Sequence, residues 1–310
     1  MSQPVTFAAG GPPSLDEIVT GIGAAKRALL SDPVSLRIQL VATAKLVNGP
    51  ARYSRVPVHV VLAHKGNRWY GEVGLVEPSG DFGRDRRYFV AQGPTVLNWM
   101  RDNPHAVVTP FENGWNVFQQ WTYVRQMGFE VNRQIAESGG ADYEAIQKQD
   151  AENPDVTHPG LPDFLVANLR RYRVLPAAEV VDGHACWVVE WPGMDQMWID
   201  AAHGFVLRRR VYHWGPGRPV RCEIQQRDCR EVRPGLWAAF TQLVDEYANP
   251  HWARRGRWNT IDLETTTTVE KIEFDTVADD FFDCPLPART VVLDGLHDTQ
   301  FCVCQPHAVF

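Results

Sequence analysis

The sequence VVDGHACWVVEWPGMDQMWIDAAHGFVLRRRVYHW, from Val180 to Trp214, predicts three consecutive β-strands. Aromatic and β-branched residues fill the runs 186–191, 197–200 and 205–214, and Gly, Pro and Asp separate them. This succession of apolar runs and turn residues is the usual signal of hairpins. We therefore predict an antiparallel meander in the middle of a large sheet.

Alternate side chains of a strand lie on opposite faces, so Trp187, Val189 and Trp191 share one face of the meander. By the same rule Arg208 and Arg210 share a face. Two interpretations of these arginines are open. The usual exposure of charged side chains favours a solvated sheet face, and the alternative is a site for a phosphate or lipid headgroup.

Upstream, the sequence predicts one helix followed by strands. Ser14 and Glu17 fit a capping box, and apolar residues at helical spacing predict an amphipathic helix over 15–30. Apolar and polar side chains alternate over 34–47, which predicts a half-buried strand of unusual length. Further strands are predicted over 56–63, 68–76, 87–92, 95–100, 221–231, 236–247 and 261–274.

The sequence shows no internal repeat, and we predict a single domain over residues 1–310. Its predicted parts are a disordered lead (1–13), a helix with the first half of the sheet (14–102), a mostly helical insertion (103–178), the second half of the sheet (179–295) and a tail that is mostly loop (296–310).

The composition is that of an ordinary globular protein. Its 310 residues are 44% hydrophobic and 22% charged, and the formal charge of -6 argues against a nucleic-acid surface. No apolar run is long enough for a transmembrane helix, and the N-terminus lacks the features of a secretory signal. The residues alone do not determine the compartment.

The six cysteines form no C-x-x-C pair and match no zinc motif. We expect Cys186 and Cys284 to be free thiols that pack as small apolar groups. Cys222 and Cys229 flank a short polar segment, and they are the favoured pair if a disulfide forms.

Two local patterns resemble those of a known superfamily. The strand VDGHACWVVEW (181–191), followed by MWIDAAHGFVLRRR (197–210), is similar to a strand, a turn and a "W-I-D … G-x-x-x-R" hairpin. The segment from Phe281 to Asp294 is similar to a closing "F-x-x-P-x-G-x-x-V-x-D", with Ala288 where glycine is usual. In these patterns and in the order of its elements, the chain resembles the lipoprotein-carrier (LolA-like) superfamily, of the outer-membrane lipoprotein-sorting type.

The resemblance implies a mainly β (α+β) fold, in which a curved antiparallel sheet forms an incomplete barrel around the N-terminal helix. It also implies a non-enzymatic carrier or binding protein that holds a hydrophobic ligand, such as a lipid or acyl chain. Lipoproteins or envelope proteins are implied as further partners, and the periplasm or cell envelope as the compartment. Physically, an antiparallel sheet with one apolar face must have that face covered or filled.

The predicted ligand-binding residues are apolar and come from the strands. They are Leu36, Ile38, Leu40, Val58, Val60, Leu62, Trp187, Val189, Trp191 and Ile199. The alternative is that these rows only pack on the 15–30 helix.

The sequence contains no established catalytic motif, and we predict no cofactor and no metal site. Acidic and imidazole side chains that permit acid/base chemistry lie close together along the meander: Glu190, Asp195, Asp200, His203 and His213. Two alternatives to the carrier therefore stay open. One is a cofactor-free enzyme that uses the same cavity for a small aromatic or hydrophobic substrate, and the other is a protein-interaction domain.

Overall fold

The structure is a computed structural model of the chain. It describes residues 11–30, 33–47, 56–76, 86–92, 95–100, 105–110, 165–166, 168–213, 217–247, 261–283 and 286–303. The chain divides into two compact units. Unit 1 comprises residues 1–29, 44–55 and 124–267, and unit 2 comprises residues 30–43, 56–123 and 268–310.

The described residues form sixteen strands, which we number in chain order. They are β1 (Ser35–Leu46), β2 (Val56–Lys65), β3 (Arg68–Leu75), β4 (Arg87–Gln92), β5 (Thr95–Met100), β6 (His105–Pro110), β7 (Arg173–Val174), β8 (Glu179–Val181), β9 (His184–Trp191), β10 (Asp195–Asp200), β11 (Val206–His213), β12 (Val220–Arg233), β13 (Leu236–Tyr247), β14 (Ile261–Phe274), β15 (Val291–Asp294) and β16 (Thr299–Cys302).

Helix α1 (Leu15–Leu30) begins at the predicted capping box. The Glu17 N–H donates to Ser14 Oγ at 3.2 Å, and the Ser14 N–H donates to Glu17 Oε2 at 2.6 Å. Farther along the helix, Gly21 faces the ring of Phe205, and a Cβ at Gly21 would lie well inside van der Waals contact with that ring. Within unit 1, α1 therefore packs at a glycine against the turn that precedes β11.

The sheet of unit 1 runs in the order β14, β13, β12, β11, β10, β9, β7, with β8 on β9. The pairings among β7 to β13 are antiparallel, and β9, β10 and β11 form the predicted meander. A β-bulge interrupts β10 and β11, because Trp198 pairs with Arg209 whereas Ile199 pairs with Leu207. Arg208 is the additional residue at this bulge, and bulges re-aim side chains.

The sheet of unit 2 runs in the order β16, β15, β6, β5, β4, β3, β2, β1, β14. One of its pairings is parallel, between β15 and β6. The C-terminal segment covers one face of this sheet, and we call the resulting core the C-terminal cluster. Its buried members are Val61, Ala63, Tyr70, Val90, Leu97, Trp99, Ala106, Val108, Val277, Phe282, Leu286, Val292 and Val303.

The hairpin turn between β2 and β3 is joined to the C-terminal segment by charged contacts. Lys65 Nζ donates to the Val277 carbonyl at 3.3 Å and lies 3.2 Å from Asp279 Oδ1. The Arg68 guanidinium forms an ion pair with the same carboxylate and lies over the Phe282 ring, 5.0 Å from its centroid. These contacts keep the C-terminal segment on the sheet.

The mainly β class and the antiparallel character of most of the sheet are confirmed, and neither strand order closes on itself among the described strands. Three strands lie where none was predicted. Strands β6 and β7 lie within the predicted, mostly helical insertion, and β16 lies within the predicted tail that is mostly loop. β6 and β16 both pair with β15, and β7 pairs with β9. Such pairing between distant segments leaves no local sequence signal. Residues 111–164 of the insertion and 1–10 of the lead lie outside the described residues.

Cys186, Cys222, Cys229 and Cys302 are free thiols. Cys186 is buried among apolar groups, as predicted. Cys222 and Cys229 do not pair, because both lie along the single extended strand β12 and their separation exceeds disulfide reach. Cys284 lies outside the described residues. Among the helices that the structure describes, none is both long and apolar enough to cross a bilayer.

Candidate functional site

The predicted ligand-binding residues fall into two groups, one in each unit. Leu36, Ile38, Leu40, Val58, Val60 and Leu62 belong to unit 2, and Trp187, Val189, Trp191 and Ile199 belong to unit 1. Most are buried, whereas Val58, Trp187 and Trp191 are half-buried. Their role in binding stays a prediction.

The unit 2 group lies on one face of its sheet. The Arg37 guanidinium lies 4.8 Å from the centroid of the Phe281 ring, which packs against the C-terminal cluster. The residues that alternate with Arg37 along β1 therefore face away from that cluster. The same holds on β2 for Val60 and Leu62, because their neighbour Val61 belongs to the cluster. We call this opposite face, with Leu36, Ile38, Leu40, Val58, Val60 and Leu62, the apolar face of unit 2.

A cleft of about 380 Å³ lies on the other side of β1 in unit 2. Its lining is mixed: Arg37, Glu273, Thr276, Val277, Ala278, Asp280 and Phe281. Arg37 is 3.6 Å from Glu273 and stacks on Phe281, so it is already compensated within the cleft. None of the predicted ligand-binding residues lines this cleft.

Two arginines of the meander in unit 1 are buried, which corrects the prediction of a solvated face for Arg208 and Arg210. Arg208 is 3% and Arg210 1% exposed. Each pairs with a carboxylate on β10, Arg208 with Asp200 and Arg210 with Asp195. Burial is tolerated because each charge is compensated and hydrogen-bonded at short range.

The charges of Asp195 and Arg210 compensate each other within a network of hydrogen bonds. Arg210 donates to both carboxylate oxygens, through Nε at 3.0 Å and a terminal nitrogen at 2.7 Å. The buried Tyr172 hydroxyl donates to Asp195 Oδ2 at 2.7 Å. Burial first, and then the negative charge of Asp195, raises the pKa of Tyr172 far above its usual value. The phenol therefore stays protonated and serves as a hydrogen-bond donor.

The second pair has two histidines beside it, and we call Asp200, Arg208, His184 and His203 the Asp200 cluster. Arg208 donates to Asp200 Oδ2 through Nε at 3.0 Å and a terminal nitrogen at 2.8 Å. The His203 backbone N–H donates to Asp200 Oδ1, and His203 Nδ1 lies 2.8 Å from Oδ2. Asp200 is the N-cap of the 3₁₀ turn 201–203, which fixes His203 beside it.

Two cysteine thiols near the Asp200 cluster are unreactive at neutral pH. Burial raises the pKa of Cys186 to about 12 and that of Cys229 to about 11. At neutral pH both are therefore protonated thiols, which are poor nucleophiles and poor metal ligands.

His184, Asp200 and His203 carry ligand atoms within 4.8 Å of one another, close enough to hold a metal ion. The Arg208 guanidinium, however, donates to Asp200 Oδ2 and lies 3.3 Å from His184 Nδ1. A cation bound by those two atoms would have to displace this fixed positive charge. The Arg208 guanidinium therefore already occupies the side of Asp200 and His184 from which a metal ion would bind. The absence of a metal site stays a prediction.

The acid/base set proposed from the sequence is divided in the structure. Only Asp200 and His203 touch, whereas Asp195 is held by Arg210 and Glu190 by Arg173. The set proposed from the sequence did not include His184 or Arg208. The sequence did contain one signal for the ion pairs. Asp195 and Asp200 lie on the first strand of a predicted hairpin, and its second strand carries Arg208 and Arg210.

We predict that mild acid weakens the fold through His184. Burial, and then the Arg208 charge, lowers its pKa below the usual 6.5. Above about pH 6.5 neither state binds the proton. As pH falls from there towards the lower folded pKa, the unfolded chain takes up a proton that the fold rejects, so the free energy of unfolding falls. Urea unfolding at about pH 7.5 and pH 5 measures this loss.

The matched variant is His184→Gln, which should lose less stability than wild type over the same pH interval. His59 of unit 2, whose pKa burial also lowers, contributes in the same direction and is tested by His59→Gln. An equal acid sensitivity in wild type and His184→Gln would contradict the assignment.

Comparison with known proteins finds similarity only at the level of structure. No protein-family model and no curated protein sequence matches the chain. A DUF1329 family protein from Desulfovibrio piger is 11% identical, with a TM-score of 0.46 over 87% of this chain and 98% of that one. An outer membrane lipoprotein-sorting protein domain from Vibrio parahaemolyticus is 11% identical, with a TM-score of 0.44 over 87% and 97%.

Proposed function

We propose that the chain is a carrier or binding protein for a hydrophobic ligand, such as a lipid or acyl chain, held along the apolar face of unit 2. The observation that carries this proposal is that the sheet of unit 2 is apolar on both faces. The C-terminal cluster accounts for only one of them. Most residues of the second face are already buried, so the gain in binding comes from the apolar surface of the ligand itself, which leaves water when the ligand enters among them from the half-buried end at Val58.

The opposite face extends across neighbouring strands. Leu62 pairs with Gly71, and Gly71 pairs with Phe89, so the three share a face. Phe89 is 2% exposed and Leu62 is also 2% exposed. Toward one end of the face, Val58 and Val73 are half-buried. We infer that a ligand enters at this end and runs along the row toward Ile38.

The energetics favour a ligand with a long apolar part. Each Å² of apolar surface removed from water contributes about 25 cal/mol, so an acyl chain gains several kcal/mol from such a face. The apolar face offers side chains without charge: Leu36, Ile38, Leu40, Val58, Val60 and Leu62. Lipoproteins or envelope proteins as donors or acceptors of the ligand follow from the same proposal.

The test is titration of the purified chain with a dansyl-labelled fatty acid, followed by fluorescence. Wild type should show saturable binding. Val58→Gln, at the half-buried end of the row, should weaken binding about tenfold, which corresponds to about 1.4 kcal/mol. Ile38→Glu should abolish it, provided that circular dichroism shows the variant folded.

The matched control is Val34→Gln, the same substitution at a valine that is 69% exposed and precedes β1. Its affinity should equal that of wild type. Undiminished binding by Val58→Gln, or equal weakening by Val34→Gln, would overturn the proposal. Absence of saturable binding by wild type would do so as well.

A further inference from the structure

Two imidazoles lie side by side at the accessible margin of the Asp200 cluster. The side chains of His184 and His203 are 35% and 30% exposed, whereas those of Asp200 and Arg208 are at most 3% exposed. The two rings meet edge to face with centroids 5.0 Å apart. Each ring therefore has Nδ1 beside a buried ion pair, whereas about a third of each side chain is accessible to solvent.

The buried pair fixes the tautomer of His184. A terminal nitrogen of Arg208 lies 3.3 Å from His184 Nδ1. A guanidinium has donors only, so Nδ1 accepts in this hydrogen bond and the proton of the neutral ring resides on Nε2. Asp200 Oδ2 lies slightly farther from the same nitrogen, at 3.4 Å, and it already accepts from Arg208 and faces His203 Nδ1. The lowered pKa of His184 keeps this ring neutral at physiological pH. His184 thus presents an N–H donor.

The same pair fixes the opposite tautomer of His203. Its Nδ1 lies 2.8 Å from Asp200 Oδ2, and a carboxylate paired with Arg208 accepts hydrogen bonds. Nδ1 of His203 therefore carries the proton, and Nε2 of the neutral ring carries a lone pair. The buried pair therefore makes one of the two adjacent rings a donor and the other an acceptor through the nitrogen that does not face the pair.

An aromatic wall adjoins this pair. The Trp237 ring contacts His203 edge to face, with centroids 4.5 Å apart. The position is set by two turns in close contact, because a Cβ at Gly204 would lie 2.9 Å from the Gly235 carbonyl oxygen and 3.7 Å from Trp237 Cδ1. Gly204 also has a φ of 73°, a conformation that favours glycine. The contact between these two turns thus holds His203 and Trp237 beside each other.

We propose that His184, His203 and Trp237 form a binding site for a small neutral aromatic ligand that carries a hydroxyl group, such as a phenol. The hydroxyl donates to His203 Nε2 and accepts from His184 Nε2–H, while the ring packs against Trp237. A site built around one donor and one acceptor rejects analogues that lack the hydroxyl. This site lies in unit 1 and is independent of the ligand proposed for unit 2.

Charged ligands fit the same residues less well. Arg208 stands beside His184 Nδ1 and opposes a cation. An anion would face the lone pair of His203 Nε2, and the Arg208 charge is already compensated by Asp200. A neutral hydroxyl uses both outer nitrogens in the states that the cluster imposes.

The first test needs no ligand. Nitrogen–proton correlation NMR of the imidazoles, recorded at about pH 8 where free histidine is neutral, distinguishes the two tautomers. His184 should be protonated at Nε2 and His203 at Nδ1. In the variant Arg208→Met the proton of His184 should move to Nδ1, because Asp200 Oδ2 lies 3.4 Å from that nitrogen and no longer pairs with a guanidinium. The same tautomer at both rings of wild type would overturn the proposal.

The second test uses p-cresol as the probe and its methyl ether as the analogue without a donor. Addition of p-cresol should shift the Nε2 resonances of both histidines saturably, and the ether should bind about tenfold more weakly or not at all. His203→Gln and His184→Gln should each weaken p-cresol binding about tenfold. The control is His297→Gln, which alters a histidine that also lies beside an aspartate, with Nδ1 2.7 Å from Asp294 Oδ2.

The outcomes are distinguishable from those of the fatty-acid titration, because the two ligands concern different units. Equal binding of p-cresol and its ether would overturn the hydroxyl site. So would weakening by His297→Gln equal to that by His203→Gln, or no saturable shift in wild type.

Discussion

The variant Asp195→Asn is expected to lower the free energy of unfolding by about 3–5 kcal/mol, as removal of one partner from a buried ion pair generally does. Asp195 is 2% and Arg210 1% exposed, so water cannot replace the lost carboxylate. The asparagine has nearly the same shape, and it can still accept from Tyr172. The loss therefore reports the uncompensated guanidinium rather than a cavity.

Urea unfolding followed by circular dichroism measures the change. The matched control is Asp228→Asn, which removes the charge from the exposed pair with Arg230. Asp228 has a φ of 49°, a conformation that asparagine accepts readily, so the control adds no backbone strain. Its unfolding midpoint should equal that of wild type, because solvent screens an exposed pair. Equal midpoints for Asp195→Asn and wild type would refute the argument.

The double variant Asp195→Leu with Arg210→Met separates charge compensation from net stabilisation. Replacement of a whole buried ion pair by apolar groups of similar size is often neutral or stabilising. We therefore expect the double variant to recover most of the stability that Asp195→Asn loses. The Tyr172 hydroxyl loses its acceptor in this variant, which costs about 1–3 kcal/mol and sets the limit of the recovery.

The long strands were predictable because each of them carries its own signal. Period-two alternation and turn residues reproduced β13 and β14 to the residue, and the capping box located α1. Burial of the arginines was not predictable in this way. Whether a charged side chain faces solvent depends on a partner on another strand and on what covers the face, and neither is encoded locally.

The candidate site illustrates the same limit at finer scale. The sequence placed Asp200 and His203 close together, but the contacts of His184 and Arg208 depend on a β-bulge between Trp198 and Ile199. A bulge adds one residue to a strand without a distinctive residue type, so its position cannot be read from the alternation of side chains. The parallel pairing of β15 with β6 depends likewise on segments far apart in the chain.

The contact of Gly21 with Phe205 leads to a prediction about stability. The effect of Gly21→Ala on the free energy of unfolding should have opposite signs in the presence and in the absence of the Phe205 ring. Gly21→Ala should raise the helix propensity of α1 by about 1 kcal/mol. A Cβ at this position, however, meets the body of the Phe205 ring rather than a flexible end. Overpacking of a fitted contact costs about 1–3 kcal/mol, so Gly21→Ala is expected to be destabilising, and Gly21→Val more so.

The companion variant is Phe205→Gly. Phe205 has a φ of 60°, which a bulky residue adopts only under strain and glycine adopts freely. Removal of the ring costs its packing but opens the space above Gly21. In the Phe205→Gly background, Gly21→Ala should then stabilise the protein by up to about 1 kcal/mol, because only the helix propensity remains.

The complete cycle, measured by urea unfolding of wild type, both single variants and the double variant, yields a coupling energy between positions 21 and 205. Thr20→Ala, at an exposed position of the same helix, reports the propensity gain without the contact. If Gly21→Ala has the same sign in both backgrounds, α1 does not pack on the Phe205 turn as described. A reversal of sign would establish that the Phe205 ring is what a side chain at position 21 meets, since no other change in the cycle alters what lies above Gly21.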